Sequence, residues 1–193
     1  MHPWYAKAVV LLASIVLVVI RAPHGQRSRS VKVARSWRGT VENVLLTIAW
    51  ISFFLPLIWV FTPVFAGADF TLHPLALGSG TACLALGLWL FHRAHADLGT
   101  NWSITLEVRE AHRLITHGIY QRIRHPMYLA LLLYGLGQAL VLPNWLAGPS
   151  YLVAMLLLVA LRLGPEERML RATFAAEYEA YAARTCRLFP GIF

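Results

Sequence analysis

The side chains best able to do chemistry in this sequence of 193 residues fall in two short pieces. The first runs from Asn101-Trp102-Ser103 to Tyr128 and gathers His112, Arg113, His117, Tyr120, Arg122, Arg124 and His125 around Gly118 and Pro126. Glycine permits unusual backbone angles and proline fixes one, so the loop has the means to hold an irregular shape. Tyr120 offers a stacking face, Arg124 a permanent cation, and His125 a donor whose charge changes near neutral pH. The second piece spans 165–187. Pro165 suits the first turn of a helix, Glu166 and Glu167 suit its positive N-terminal end, and Leu170, Phe174, Tyr178 and Tyr181 follow at helical spacing. It reads as an amphipathic helix lying on a membrane face or over the loop. Together the two pieces suit a polar cofactor whose reactive end faces an apolar medium. No metal site is expected, because the 8 His residues show no ligand spacing. His92 and His95 sit at i,i+3 near a helix end, where an interfacial role is the simpler reading.

What positions these pieces follows from the charge pattern. Hydrophobic residues make up 58% of the chain and charged residues 13%, about half the charge of a soluble domain. No charged residue occurs in 8–20, 44–66, 75–91, 127–142 or 145–161. Crossing an apolar core takes roughly 20 helical residues. The second stretch is long enough, the first becomes so if the helix starts at Trp4, and the last two read as a tight hairpin around Pro143-Asn144. Gly135, Gly137, Ala139, Ala147 and Gly148 would let the halves of that hairpin approach closely. The expected fold is an all-α integral membrane protein with five transmembrane helices at about 4–20, 44–66, 75–93 and the hairpin 127–163. Residues 98–126 form the loop and 165–184 a separate C-terminal helix. Residues 1–97 thus make an N-terminal membrane region and 98–193 a catalytic region.

The excess of 17 Lys and Arg over 9 Asp and Glu suggests nucleic acid at first sight. Its distribution points instead to topology. Lys and Arg stay on the cytoplasmic side, and with the N-terminus outside all but Lys7 of the cations fall on that face. The basic loop 21–43 suits anionic headgroups, and no nucleic-acid partner is expected. Residues 8–20 are read as an anchor that stays in the protein. Cys83 and Cys186 fall in places that should not meet, so no disulfide is expected.

The segments His112-Arg113-Leu114-Ile115-Thr116-His117-Gly118-Ile119-Tyr120 and Arg124-His125-Pro126-Met127-Tyr128, with Glu166-Glu167, Phe174, Glu177-Tyr178 and Tyr181, resemble the isoprenylcysteine carboxyl methyltransferase family. The likeness covers about residues 98–190 and is of the compact prokaryotic type. Membrane phospholipid N-methyltransferases share a looser form of it. The resemblance implies an enzyme of the prokaryotic cell membrane that binds S-adenosylmethionine on its cytoplasmic side. Its cofactor contacts would be His112, Arg113, Leu114, Ile115, Tyr120, His125, Pro126, Met127, Tyr128 and Glu166, and Arg162 would meet the substrate. Two departures stand out. Ile119 replaces a proline often found after the glycine, which should loosen that turn, and Ala175 replaces the usual glycine after Phe174.

Methyl transfer from a sulfonium is a displacement in which alignment alone is worth on the order of 7–11 kcal/mol in favourable cases. A carboxylate acceptor is already ionised and needs no base, but it needs a cation such as Arg162 in a low-dielectric site. An amine acceptor would need a base and would be repelled by that arginine. Glu166 suits the cofactor's amino group, Tyr120 and Tyr128 its adenosine or sulfonium, and His125 its carboxylate. The expected acceptor is lipophilic and enters from the bilayer. Competing readings are a phospholipid or small-thiol methyltransferase and a non-catalytic membrane anchor. Arg162 can equally anchor a helix end by snorkelling.

Overall fold

The computed structural model describes residues 4–29, 33–36, 39–99, 105, 107–109 and 113–189. Five helices dominate: α1 (Trp4–Arg29), α2 (Thr40–Phe61), α3 (Pro74–Leu98), α4 (Pro126–Val141) and α5 (Ala147–Ala182). All but α4 are long and apolar enough to cross a membrane. The protein is therefore a multi-pass integral membrane protein. Its outward faces carry large apolar side chains, among them Leu12, Val19, Phe54, Phe61, Trp89 and Leu156, as helices surrounded by lipid require.

Neighbouring helices pack in the order α1, α3, α4, α5, α2. Lipid supplies no hydrophobic drive between helices, so close backbone approach has to hold them together. The α3–α4 seam depends on it. A Cβ on Gly80 would lie 2.8 Å from the Gly137 carbonyl oxygen, and one on Gly137 would lie 2.7 Å from the Leu84 nitrogen. Gly137 thus serves the seam with α3 rather than the hairpin expected from sequence. Gly135 and Gly148 do serve the hairpin, facing Leu152 and Leu142.

One end of the bundle is closed by a polar knot. Asn144 in the hairpin turn caps α5 by accepting the Leu146 and Ala147 N–H groups at 3.0 and 2.8 Å. Its amide donates to the Phe65 carbonyl and to Asp69 Oδ1, both at 2.7 Å, and Trp59 Nε1 donates to the same Asp69 oxygen at 2.6 Å. Lys7 joins from α1, its Nζ donating to the Val60 carbonyl at 2.9 Å. Since successive helices alternate in direction, the chain's polar loop must gather at the other end.

The structure departs from the expected fold in three respects, the first being that α1 runs on to Arg29, so residues 21–29, expected in the basic loop, are helical. A short antiparallel pair, β1 (Val33–Ser36) with β2 (Glu107–Arg109), adds strand to an otherwise helical chain. The C-terminal helix does not start at Pro165: α5 continues from the hairpin through Pro165 to a kink at Ala175 and resumes beyond it to Ala182. Proline there removes one N–H, which a helix emerging from lipid into a polar environment tolerates. The break comes later. Ala175 has φ 45° and ψ −121°, and it is the one non-glycine residue with positive φ among the described residues. This is glycine's territory, and the position is the one where the family resemblance places glycine. An alanine there is strained by about 1–3 kcal/mol. Ala175→Gly should therefore stabilise the protein by about 1 kcal/mol, raising its melting temperature in detergent. An unchanged or lower melting temperature would show that the backbone there is not strained.

Candidate functional site

The end opposite the polar knot is organised by two adjacent acids of α5 with different surroundings. Glu167 is buried and serves as an anchor. Its carboxylate meets Arg124 Nε at 3.1 Å, Arg187 Nη2 at 3.0 Å, Arg171 Nη1 at 3.6 Å and His125 Nε2 at 3.6 Å. Arg124 also donates to the Ala182 carbonyl at 3.0 Å and to the Thr185 carbonyl. The backbone reinforces these links, because Arg124 N–H donates to Cys186 O at 2.8 Å and His125 N–H to Arg187 O at 3.0 Å. The loop before α4 is in this way fastened to the end of α5 and the segment after it. Arg124 works here as an internal clamp.

Glu166, one residue earlier, faces the other way. The Tyr128 hydroxyl donates to its Oε2, His125 Nδ1 lies 3.7 Å from Oε1, and Arg162 Nε lies 3.9 Å from Oε2. The imidazole of His125 stacks on the Tyr128 ring at 5.6 Å and 19°. These groups border a cavity of about 240 Å³. Its polar end is lined by Arg113, Tyr120, His125, Tyr128, Arg162 and Glu166, and its more apolar end by Leu17, Leu46, Trp50, Phe53, Tyr151 and Met155, with the Arg21 guanidinium over the Trp50 ring at 5.4 Å. One continuous space joins an ionic head to a tail region between membrane helices.

Tyr120 is set by a turn with its own support. Gly118 has φ 59°, and the Asp97 carboxylate occupies the space a Cβ would need. Asp97 Oδ2 accepts the Ile119 N–H at 2.8 Å. The expected loosening by Ile119 is thereby corrected: isoleucine supplies a donor that proline lacks, and Asp97 from the end of α3 holds the turn through it. The Tyr181 hydroxyl donates to the Tyr120 carbonyl at 2.8 Å. Burial first, then the Glu166 carboxylate, pushes the pKa of Tyr120 far above that of a free phenol, so the hydroxyl stays protonated.

Of the residues singled out in the sequence, Arg113, Leu114, Ile115, Tyr120, His125, Met127, Tyr128, Arg162 and Glu166 all line this cavity. Pro126 does not; it is buried at the first position of α4, where it sets the helix start. His112 lies outside the described residues. Arg162 is buried rather than snorkelling, and its Nη2 meets Glu42 Oε1 at 3.3 Å. Glu42 and Asp97 were missed in the sequence. Their signal was isolation: Glu42 is the lone acid in the basic stretch 21–43, and Asp97 the lone acid in the last turn of α3.

The profile of the isoprenylcysteine carboxyl methyltransferase family matches residues 80–172, from the middle of α3 through Arg162 and both acids. The match falls just short of half of the chain, and over this part the chain is similar to that family. Among curated relatives, a probable protein-S-isoprenylcysteine O-methyltransferase of Oryza sativa subsp. indica is 35% identical over 81 residues, 42% of each chain. Protein-S-isoprenylcysteine O-methyltransferase of Tribolium castaneum is 30% identical over 135 residues, 69% of this chain and 46% of the relative. The chain thus spans about half the length or less of these relatives. The solved structure of the eukaryotic intramembrane Ras methyltransferase superposes with a TM-score of 0.54 at 25% identity, covering 78% of this chain and 52% of that one. The likeness in three dimensions therefore extends beyond the region the family profile matches.

The turn that presents Tyr120 can be tested through its donor. Asp97→Ala should cost about 1–3 kcal/mol by orphaning the Ile119 N–H, and should speed proteolysis of segment 113–125. Adding Ile119→Pro to Asp97→Ala removes the orphaned donor and should restore much of the loss. A double variant no better than Asp97→Ala would show that Asp97 supports the turn in some other way.

Proposed function

We propose that this protein is an S-adenosylmethionine-dependent methyltransferase that acts at the membrane on a lipophilic acceptor, by carboxyl O-methylation of a prenylcysteine-like substrate. The observation that carries the reading is the cavity itself, in which Arg162 and Glu166 stand at the junction between a polar loop and a wall of apolar helix side chains. A prenylcysteine has the matching shape, an acid at one end and an apolar tail at the other. The names of the curated relatives support the same activity.

The residues present fit a zwitterionic adenosyl sulfonium. Glu166 is suited to its ammonium group, Arg113 to its carboxylate, and the faces of Tyr120 and Tyr128 to its adenosine or cationic sulfur. When bound, S-adenosylmethionine supplies a methyl electrophile: an acceptor oxygen lone pair forms the O–C bond while the C–S bond breaks, its electrons passing to sulfur. The protein's part is to align, to exclude water and to balance charge. Arg162 gives the acceptor carboxylate a cation with fork geometry. No general base is needed, and His125 stacks on Tyr128 beside the two carboxylates.

In this reading five helices cross the bilayer, α4 being a short span packed between α3 and α5. The N-terminus lies outside, and the cavity's polar end faces the cytoplasm of a prokaryotic cell. The concentration of arginine at that end supports the orientation. The acceptor enters from the bilayer toward Trp50 and Phe53.

Purified protein should bind S-adenosylhomocysteine saturably and transfer labelled methyl groups to a prenylcysteine. Lack of cofactor binding would sink the enzyme reading, and transfer only to phospholipids or small thiols would replace the acceptor. Arg162→Ala should retain cofactor binding while losing about 10²–10³-fold in turnover. Arg162→Lys, which keeps the charge without the fork, should fall between the two. Unchanged turnover of the prenylcysteine in both variants would remove Arg162 from the acceptor site.

A further inference from the structure

Arg162 is held from two sides by carboxylates that play unequal parts. Glu166 borders the cavity, whereas Glu42, in the first turn of α2, is buried and does not line it. Glu42 Oε1 lies 3.3 Å from Nη2 and Glu166 Oε2 3.9 Å from Nε. Glu42 also lies outside residues 80–172, the part matched to the family. A buried acid behind the arginine, out of reach of the cavity, calls for an electrostatic account.

We infer that Glu42 tunes Arg162: it offsets part of the guanidinium charge so that the acceptor carboxylate is oriented without being overstabilised. The inference rests on the proposed carboxyl methylation. In that reaction the acceptor carboxylate loses its negative charge as it becomes an ester. A fully uncompensated cation would stabilise the charged starting state more than the partly neutralised transition state. Interactions stronger in the ground state than in the transition state lower KM and slow the chemical step. A fixed anion behind the cation reduces that difference and also favours release of the neutral ester. Glu42 is thus a positioning and charge-balancing residue acting through Arg162.

The test is Glu42→Gln, which keeps an oxygen able to accept from Nη2 and removes the charge. Binding of a prenylcysteine and of its methyl ester is measured without turnover, by calorimetry on protein saturated with S-adenosylhomocysteine. In Glu42→Gln the carboxylate should bind about 3–10-fold more tightly while the ester is unaffected, and kcat should fall about tenfold. KM and kcat thus fall together, which a merely structural loss would not produce. Glu42→Asp, whose carboxylate is one methylene shorter, should shift both quantities the same way but less. It serves as the readout if the glutamine variant does not fold. A wild-type protein that binds no S-adenosylhomocysteine or methylates no prenylcysteine defeats the functional reading and this inference with it. A wild type that does both, while the variants leave the carboxylate-to-ester preference unchanged, overturns this inference alone.

Discussion

The buried ion pair between Arg124 and Glu167 is the interaction on which the polar end of this protein depends. Charges removed from water are tolerated only when paired and fully hydrogen-bonded, and breaking such a pair from one side costs about 3–5 kcal/mol. Here the pair, 3.1 Å long, is completed by Arg187, by His125 and by the Ala182 and Thr185 carbonyls. The consequence is geometric. The loop around Arg124, bridged at Ile123 to Cys186, is fixed to α5, and Glu166 is turned toward the cavity because its neighbour is committed to the anchor.

The rest of the bundle brings a tail region to that ionic head. At the far end the Asn144–Asp69–Trp59 knot fixes the hairpin against the α2–α3 connection, and the Gly80–Gly137 approach draws α3 onto α4. With both ends held, α1, α2 and α5 leave the cavity's apolar walls between them. Charge then falls into a simple order along this space. Apolar side chains come first, with Arg21 packed over Trp50 among them, then Arg162 between two carboxylates, then the tyrosines and histidine of the loop.

Much of this was legible in the sequence, and for physical reasons. Charge-free stretches mark the helices because lipid excludes charge, so α2, α3 and α4 were found close to their observed limits. The loop residues were found because aromatic, basic and imidazole groups stood together in an otherwise apolar chain. The misses have equally physical causes. Pro165 looked like a helix start because proline is favoured there, yet packing carried α5 through it to a break at Ala175. The β1–β2 pair joins segments more than 70 residues apart, a separation at which local pattern gives no guidance. Asp97 and Glu42 act on Ile119 and Arg162 across the bundle. Nothing local in the sequence connects those partners, and only the packing of α2 on α5 and of α3 beside the loop does so.

The central claim is that one cavity holds an acidic head at Arg162 and an apolar tail among α1, α2 and α5. A prenylcysteine analogue carrying a photoreactive group at the tail end tests it most directly. Crosslinking followed by peptide mapping should place the label on Leu17, Leu46, Trp50 or Phe53, and unlabelled prenylcysteine should compete it away. Label confined to the loop around Tyr120, or spread over the outward faces without competition, would contradict the account.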